Sequence, residues 1–280
     1  MAQRQLPDRF RHVSDADWFR LLAASVTQPV VDGLEFPRFP PAALQERFVG
    51  QSGVDALRTA YSFYVFTKTQ MQSLGNPLGR DSRFLDFGCG WGRFLRFFWK
   101  DVDEGNLYGC DTNATVIELC ESLGAPGHLS AIDPRGRLPY PDAFFDGVLA
   151  NSVFTHLPES VHLHWIQELS RVCKPPAVVC MTLQPRRFLD HVATIPASTT
   201  SPWELALRRC QPAIAAHADE YASRGFTYLP SHQGLEDVYG DAVCSPGFIT
   251  RHWGPSFDLK TYIDHASQMP QAAVAVQRRP

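Results

Sequence analysis

Phe84-Leu85-Asp86-Phe87-Gly88-Cys89-Gly90-Trp91-Gly92-Arg93 is the stretch on which the fold of this chain turns. Phe84 to Phe87 read as a short apolar strand interrupted by one carboxylate; glycines follow at 88, 90 and 92, and a helical run opens at Arg93. A strand that passes through glycines into a helix suits a nucleotide-like ligand. Glycine accepts positive φ and lets the backbone approach a ligand that a Cβ would push away. The free amides at a helix start favour an anionic group. A tight turn that binds nothing uses the same glycines, so the neighbouring residues have to separate the two readings.

Three neighbours do so. Where a dinucleotide fingerprint places its last glycine stands Arg93, which would crowd a pyrophosphate against the helix, so nicotinamide binding is disfavoured. The next apolar run ends Leu107-Tyr108-Gly109-Cys110-Asp111, which puts a carboxylate 23 residues beyond Gly88. At a strand tip it can accept charge-assisted hydrogen bonds from two ribose hydroxyls. It can equally cap the following helix, a role open to Asp111, Thr112 or Asn113. Asp86, two residues before the first glycine, would repel a pyrophosphate but suits a ligand that carries an ammonium group.

Outward from this loop, short apolar runs alternate with helical ones: 83–87, 93–99, 106–110, 112–123, 127–132, 145–153, 158–173 and 177–183. That alternation predicts a parallel sheet with helices on both faces and its strand-to-helix loops gathered on one edge. Residues 1–80 read as a helical N-terminal cap without a convincing strand, with helices over 15–24, 41–49 and 54–71 broken by prolines. Residues 81–183 form the cofactor-binding core. Residues 184–224 read as a helical insertion or lid, with one helix over 202–224, because so long a stretch is not a plain connection. Residues 225–280 complete the sheet and supply acceptor-site elements; the runs 257–263 and 272–277 are expected to pair antiparallel.

With these pieces in order, residues 85–92 resemble the signature of class I S-adenosylmethionine-dependent methyltransferases. The similarity continues through Tyr108-Gly109-Cys110-Asp111, Leu138-Pro139-Tyr140-Pro141-Asp142-Ala143-Phe144-Phe145-Asp146, Ser152-Val153-Phe154-Thr155-His156-Leu157 and Glu168-Leu169-Ser170-Arg171-Val172-Cys173-Lys174-Pro175-Pro176. An ordered set is far more specific than any one motif. Pro176-Ala177 departs from the glycine pair the family usually carries there, which touches a turn rather than the chemistry. The flanks are more loosely similar to bacterial methyltransferases of polysaccharide or other small-molecule pathways.

The resemblance implies an α/β fold: a Rossmann-like, seven-stranded, mostly parallel sheet with an antiparallel last strand, helices on both faces, and the N-terminal helical cap. It implies S-adenosyl-L-methionine as cofactor. Asp86, Phe87, Gly88, Cys89, Gly90, Trp91 and Gly92 would face its methionine portion. Asp111, with Thr112 beside it, would face the ribose diol. Ile132 would pack on the adenine and Asp133 would lie near its exocyclic amine, though a turn before Pro134 explains Asp133 equally well. Asn151 and Ser152 would line the cofactor and the path to the acceptor.

Methyl transfer from a sulfonium needs alignment and exclusion of water more than it needs acid or base, so these motifs name the donor better than the acceptor. A base is required where a hydroxyl must lose its proton, and His156, after the fourth strand, is the candidate catalytic residue. It can otherwise pack or cap at the start of the helix from Pro158. His162 and His164 read as surface residues. Phe63 and Tyr64 of the cap, and His232, Tyr239 and Arg251-His252-Trp253 of the tail, can touch ligand, with core packing as the default.

The bulk numbers agree with an enzyme of small acceptors. At 280 residues the chain can bury a full core. A net charge of -3 argues against a nucleic-acid partner, and Asn151-Ser152-Val153-Phe154 stands where a base-flipping enzyme holds an Asn-Pro-Pro-Tyr type tetrad. Seven scattered cysteines without a CxxC pair support neither a disulfide framework nor a metal site. No apolar run is long enough for a membrane span, and the start from Met1 to Pro7 lacks a signal-peptide core, so a cytoplasmic protein is expected. The expected partner is a small-molecule or glycan acceptor methylated on O or N, and the exposed cap would allow a homodimer. A nicotinamide-dependent oxidoreductase and a noncatalytic S-adenosylmethionine-binding protein are the competing readings; protein methylation is a further one.

Overall fold

The helical cap forms wherever an apolar stripe can be laid on the core. In the computed structural model, which describes residues 6–267 and 269–280, it comprises α1 (Asp8–Arg11), α2 (Asp15–Ser25), β1 (Val30–Val31), β2 (Leu34–Glu35), α3 (Ala42–Val49) and α4 (Gly53–Ser73). Residues 1–5, part of the stretch read as lacking a signal-peptide core, lie outside the described residues. Ser14 caps α2 by accepting from the Asp17 amide, and Ala56, Leu57, Ala60, Phe63, Tyr64 and Thr67 of α4 bury one face at helical spacing. The expectation of a strand-free cap is corrected by β1 and β2. They pair antiparallel around Asp32 and Gly33, at φ +49° and +75°, the positive angles that a two-residue Asp-Gly turn needs.

The alternation then runs as β3 (Phe84–Phe87), α5 (Arg93–Phe98), β4 (Leu107–Asp111), α6 (Ala114–Leu123), β5 (His128–Ala131), β6 (Phe145–Ala150), α7 (Glu159–Val172) and β7 (Cys173–Leu183). It continues with α8 (Arg187–Thr194), α9 (Pro202–Arg208), α10 (Ile214–Arg224), β8 (Phe226–Leu229), β9 (Asp241–Cys244), α11 (Pro246–His252), β10 (Phe257–Ile263) and β11 (Ala272–Arg278). Seven strands form one sheet in the order β10-β11-β7-β6-β3-β4-β5. β3 is parallel to β4 and β6, and β4 to β5, whereas β11 is antiparallel to both β7 and β10. This is the Rossmann-like sheet expected, closed by its antiparallel end.

Two compact units carry these elements, one containing the chain up to Asp133 together with Phe144–Leu149, the other Pro134–Ala143 and Ala150–Pro280. In the first, the fully buried strand β3 is packed by the aromatic side of α5, with Phe84 and Phe98 rings 4.2 Å apart. In the second, β8 and β9 pair antiparallel as a two-stranded ribbon, with Val243 bridged to Gln184 just beyond β7; of the tail strands β10 and β11 join the large sheet. Phe188, Leu189, Val192 and Ile195 of and just after α8 make a core of their own with Leu207, Cys210, Leu229 and Val243. The single helix expected over 202–224 is two, divided at a 3-10 turn, Gln211–Ala213, where Pro212 has no amide to donate. No helix among the described residues is long and apolar enough to cross a membrane. All seven cysteines are buried thiols, none of them in a disulfide.

Candidate functional site

In the first unit the glycine loop is tied to the end of β4. The amides of Gly88 and Cys89 both donate to the Cys110 carbonyl, at 2.8 and 2.9 Å, and the Gly92 amide closes back on the Cys89 carbonyl at 2.9 Å. Gly88, Gly90 and Gly92 have φ of +77°, +50° and +76°, so each needs glycine for its conformation. Gly90 donates to Asp111 Oδ2 at 3.0 Å, and Asp111 Oδ1 accepts from the Asn113 amide at 2.9 Å. Asn113, not Asp111 or Thr112, caps α6, through the Val116 amide. The capping role is therefore filled, and Asp111 is a carboxylate fixed by backbone amides with lone pairs left for a ligand. Burial raises its pKa, and the amides of Asn113, Gly90 and Thr112 pull it back.

Asp86 is 1% exposed and neither of its oxygens has a hydrogen-bond partner. Burial pushes it up to about 8, against the downward pull of Arg93, with Asp111 adding to the rise. A buried unpaired carboxylate stays protonated or meets a cation. The Arg93 guanidinium donates to the Ala56 carbonyl and Thr59 Oγ1 of α4, both at 3.0 Å, and burial lowers it to about 10 against the opposing pull of Asp86. Arg93 thereby fastens the cap to α5.

The other expected residues of this unit divide by side chain and backbone. Phe87, Cys89 and Trp91 are buried, Trp91 against Phe39 at 5.8 Å and beneath the Arg96 guanidinium, so at these positions the backbone borders the loop. The Ile132 amide donates to the Asp111 carbonyl at 3.0 Å, which keeps Ile132 and the exposed Asp133 at the strand end that carries Asp111; Thr112 is exposed. Phe63 and Tyr64 are core residues, Tyr64 hydrogen-bonding Asp15 and Asp101. The cap residue beside the loop is Phe48, 39% exposed and 3.7 Å from where a Gly90 Cβ would stand. Nothing in its spacing singled it out.

In the second unit the segment after β6 is held by a strained turn. Ser152 has φ +58°, its amide donates to Thr182 Oγ1 at 2.7 Å, and its Oγ accepts from Gln271 Nε2 at 3.0 Å. That hydroxyl lies 3.5 Å from His156 Nε2. His156 Nδ1 is 2.8 Å from the Gly240 carbonyl, which fixes the proton on Nδ1 and leaves the Nε2 lone pair open. Asp241 Oδ1 stands 3.7 Å behind the same nitrogen, and the Tyr239 ring stacks on the imidazole at 4.6 Å. Burial is the largest influence on His156 and lowers its pKa; Asp241 and the Gly240 carbonyl oppose it, and His232 adds to it. Asp241 is itself fully buried and accepts from Ser231 Oγ at 2.5 Å, a hydroxyl that also meets His232 Nδ1 at 2.9 Å. Asn151 is half-buried at the end of β6.

His162 corrects the expectation of a surface residue. It is fully buried among Phe154, Phe226, Phe248 and Trp253, with no hydrogen bond to either nitrogen, and burial lowers it to about 3. The reason is its place on α7, in line with Ile166 and Leu169. His164 is half-buried and bonds the Gly136 carbonyl at 2.7 Å.

Residues 85–181 match the methyltransferase domain family. An uncharacterized methyltransferase of Schizosaccharomyces pombe is 31% identical over 114 residues, 36% of this chain. Sarcosine/dimethylglycine N-methyltransferase of Halorhodospira halochloris is 28% identical over 118 residues, 39% of this chain. The chain spans only 39% of the length of each of these two relatives. Among solved structures, an S-adenosylmethionine-dependent methyltransferase of Mesorhizobium loti aligns with TM-score 0.52 and 12% identity over 75% of this chain and 96% of that one. The magnesium protoporphyrin IX methyltransferase of Synechocystis, with bound S-adenosylhomocysteine, aligns with TM-score 0.51 and 12% identity over 84% and 93%. Both share the fold.

Proposed function

We propose that this chain, whose residues 85–181 match the methyltransferase domain family, is a class I S-adenosylmethionine-dependent methyltransferase that moves a methyl group to an oxygen or nitrogen nucleophile of a small molecule or glycan unit. Its cofactor is S-adenosyl-L-methionine. The observation that carries the donor half of this reading is Asp86, a buried carboxylate with both oxygens unpartnered beside a loop of three positive-φ glycines. A ligand ammonium supplies the missing partner, and Asp111 then takes the ribose hydroxyls. We extend the cofactor contacts to the backbone from Phe87 to Gly92, to Thr112, Ile132 and Asp133, and to Asn151 and Ser152.

When bound, the cofactor supplies a methyl group already activated on sulfur. The chain has to orient the acceptor, keep water out and, for a hydroxyl acceptor, take one proton. His156 is the proposed base: Nδ1 is occupied by the Gly240 carbonyl, so the proton goes to Nε2. Asp241, 3.7 Å from Nδ1, steadies the imidazolium so formed and acts as a positioning residue.

The test is a screen of hydroxyl and amine acceptors that follows S-adenosylhomocysteine release, with Asp111→Ala as the variant that cannot hold the donor. Loss of two charge-assisted hydrogen bonds should weaken S-adenosylhomocysteine roughly 10- to 100-fold in calorimetry. Normal binding by Asp111→Ala would remove the ribose assignment.

A further inference from the structure

A cleft of about 180 Å³ lies between α8, α9 and the approach to β11, lined by Gln184, Arg187, Phe188, His191, Trp203 and Gln271, with Pro270 at its edge. It is smaller than the roughly 300–1,000 Å³ of sites that enclose drug-sized ligands, so it suits a single ring. Gln271 links it to the turn already described, because its Nε2 donates to Ser152 Oγ, the neighbour of His156 Nε2.

The lining says which ring. Gln184 is only 6% exposed and lines the space, where its carboxamide offers a donor group and an acceptor. Trp203 is 42% exposed, with its indole stacked beside His191 at 5.7 Å and near Phe188 at 6.1 Å. The basic side chains there already face carboxylates: Arg187 is bonded to Asp264 at 2.7 Å and to the Met269 carbonyl at 3.2 Å, and the His191 ring stands 3.9 Å from Glu204. A carboxylate or phosphate ligand would find no uncompensated charge. A flat aromatic without hydroxyls would leave the Gln184 amide unpaired, at a cost. A pyranose ring satisfies both features, since its C–H face lies on an indole and each hydroxyl both donates and accepts.

We infer that this cleft holds the acceptor, a neutral pyranoside whose reacting hydroxyl lies toward Ser152 and His156. The inference rests on the methyltransferase reading and narrows it to one chemical class. The reaction it serves balances simply: the sugar oxygen bonds the methyl carbon, the carbon–sulfur bond breaks with its electron pair left on sulfur, and the hydroxyl proton passes to His156.

The experiment titrates the full chain, with and without S-adenosylhomocysteine, with methyl pyranosides of the gluco, galacto, manno and rhamno series. Catechol and benzoate serve as flat and anionic comparators. At least one pyranoside should bind in the millimolar range or tighter. Trp203→Ala and Gln184→Leu should each weaken it fivefold or more while leaving S-adenosylhomocysteine affinity unchanged, which also reports that both variants are folded. Binding of catechol or benzoate alone, pyranoside binding indifferent to both variants, or no pyranoside binding would overturn the inference. Failure of the chain to take S-adenosylhomocysteine would instead count against the methyltransferase reading, which separates the two.

Discussion

A histidine whose Nδ1 is occupied by a carbonyl and whose Nε2 meets only a weakly placed hydroxyl has its tautomer set for accepting a proton. Burial already lowers the His156 pKa, so the acidic limb of a kcat/KM profile for a hydroxyl acceptor should have its midpoint below the usual 6.5. Asp241 pulls the other way, so Asp241→Asn should move that midpoint further down and lower kcat on the plateau, where a purely structural role would leave the midpoint in place. His162, on the neighbouring helix, gives the contrasting case of a histidine used for packing. Its folded pKa of about 3 lies below the unfolded value, so the unfolded chain binds the extra proton and stability is lost as pH falls from about 6.5 toward 3. His162→Leu removes that penalty and should gain about 2 kcal/mol over the wild type at pH 5, shrinking toward zero above pH 7, in urea unfolding at the two pH values. The sequence separated these two histidines imperfectly. His156 stood out because it follows a strand at the loop edge. His162 was misjudged because a polar residue at an i, i+4 apolar position reads as surface until the aromatic partners, 64 to 91 residues away in sequence, are known. Asp241 carries no local signal for this place, since 85 residues separate it from the histidine it stands behind.

At the scale of elements, what was legible was whatever repeats locally. The alternation of apolar runs with amphipathic ones marks β3 to β7 and the helices between them, because period 2 and period 3.6 survive without tertiary help. The hairpin Val30–Glu35 has strands of two residues, too short for any period, and only its Asp32-Gly33 turn betrays it. The separate pairing of β8 with β9 was equally hidden, since strand character does not say which sheet a strand joins. Buried arginines carry the joints that hydrophobic patterning misses. Arg96, with no exposed surface, donates to the Pro37 and Arg38 carbonyls at 2.6 and 2.7 Å and lies over the Phe39 and Trp91 rings. It thereby ties the segment before α3 to the helix that follows the glycine loop. Lysine keeps the charge but cannot span both carbonyls from one planar fork or stack on the rings. Arg96→Lys should therefore cost about 2 kcal/mol, read as a lower urea midpoint with an unchanged m-value.

For the molecule as a whole, the question is which nucleotide the native state prefers, and linkage lets stability answer it. A ligand that binds only the folded chain stabilises it by about 2.7 kcal/mol at a hundred times its Kd. In a chain of this size that corresponds to a rise in Tm of roughly 5–10 °C. S-adenosylhomocysteine should produce that shift and NAD should not, because a pyrophosphate would meet Asp86 and Asp111 while the homocysteine ammonium completes Asp86. The shift should also depend on pH in a direction set by Asp86. Its folded pKa of about 8 lies above the unfolded value of 3.8, so the empty native state holds a proton that the unfolded chain has lost, and stability from this residue falls as pH rises between those values. Binding an ammonium requires that proton to leave, so the S-adenosylhomocysteine shift should be larger at pH 8.5 than at pH 6.5. Asp86→Asn should flatten both dependences and weaken binding together. An NAD-induced shift without one from S-adenosylhomocysteine would turn the glycine loop back into a dinucleotide site, and a shift from S-adenosylhomocysteine indifferent to pH and to Asp86→Asn would leave the methionine end of the cofactor held by some other group.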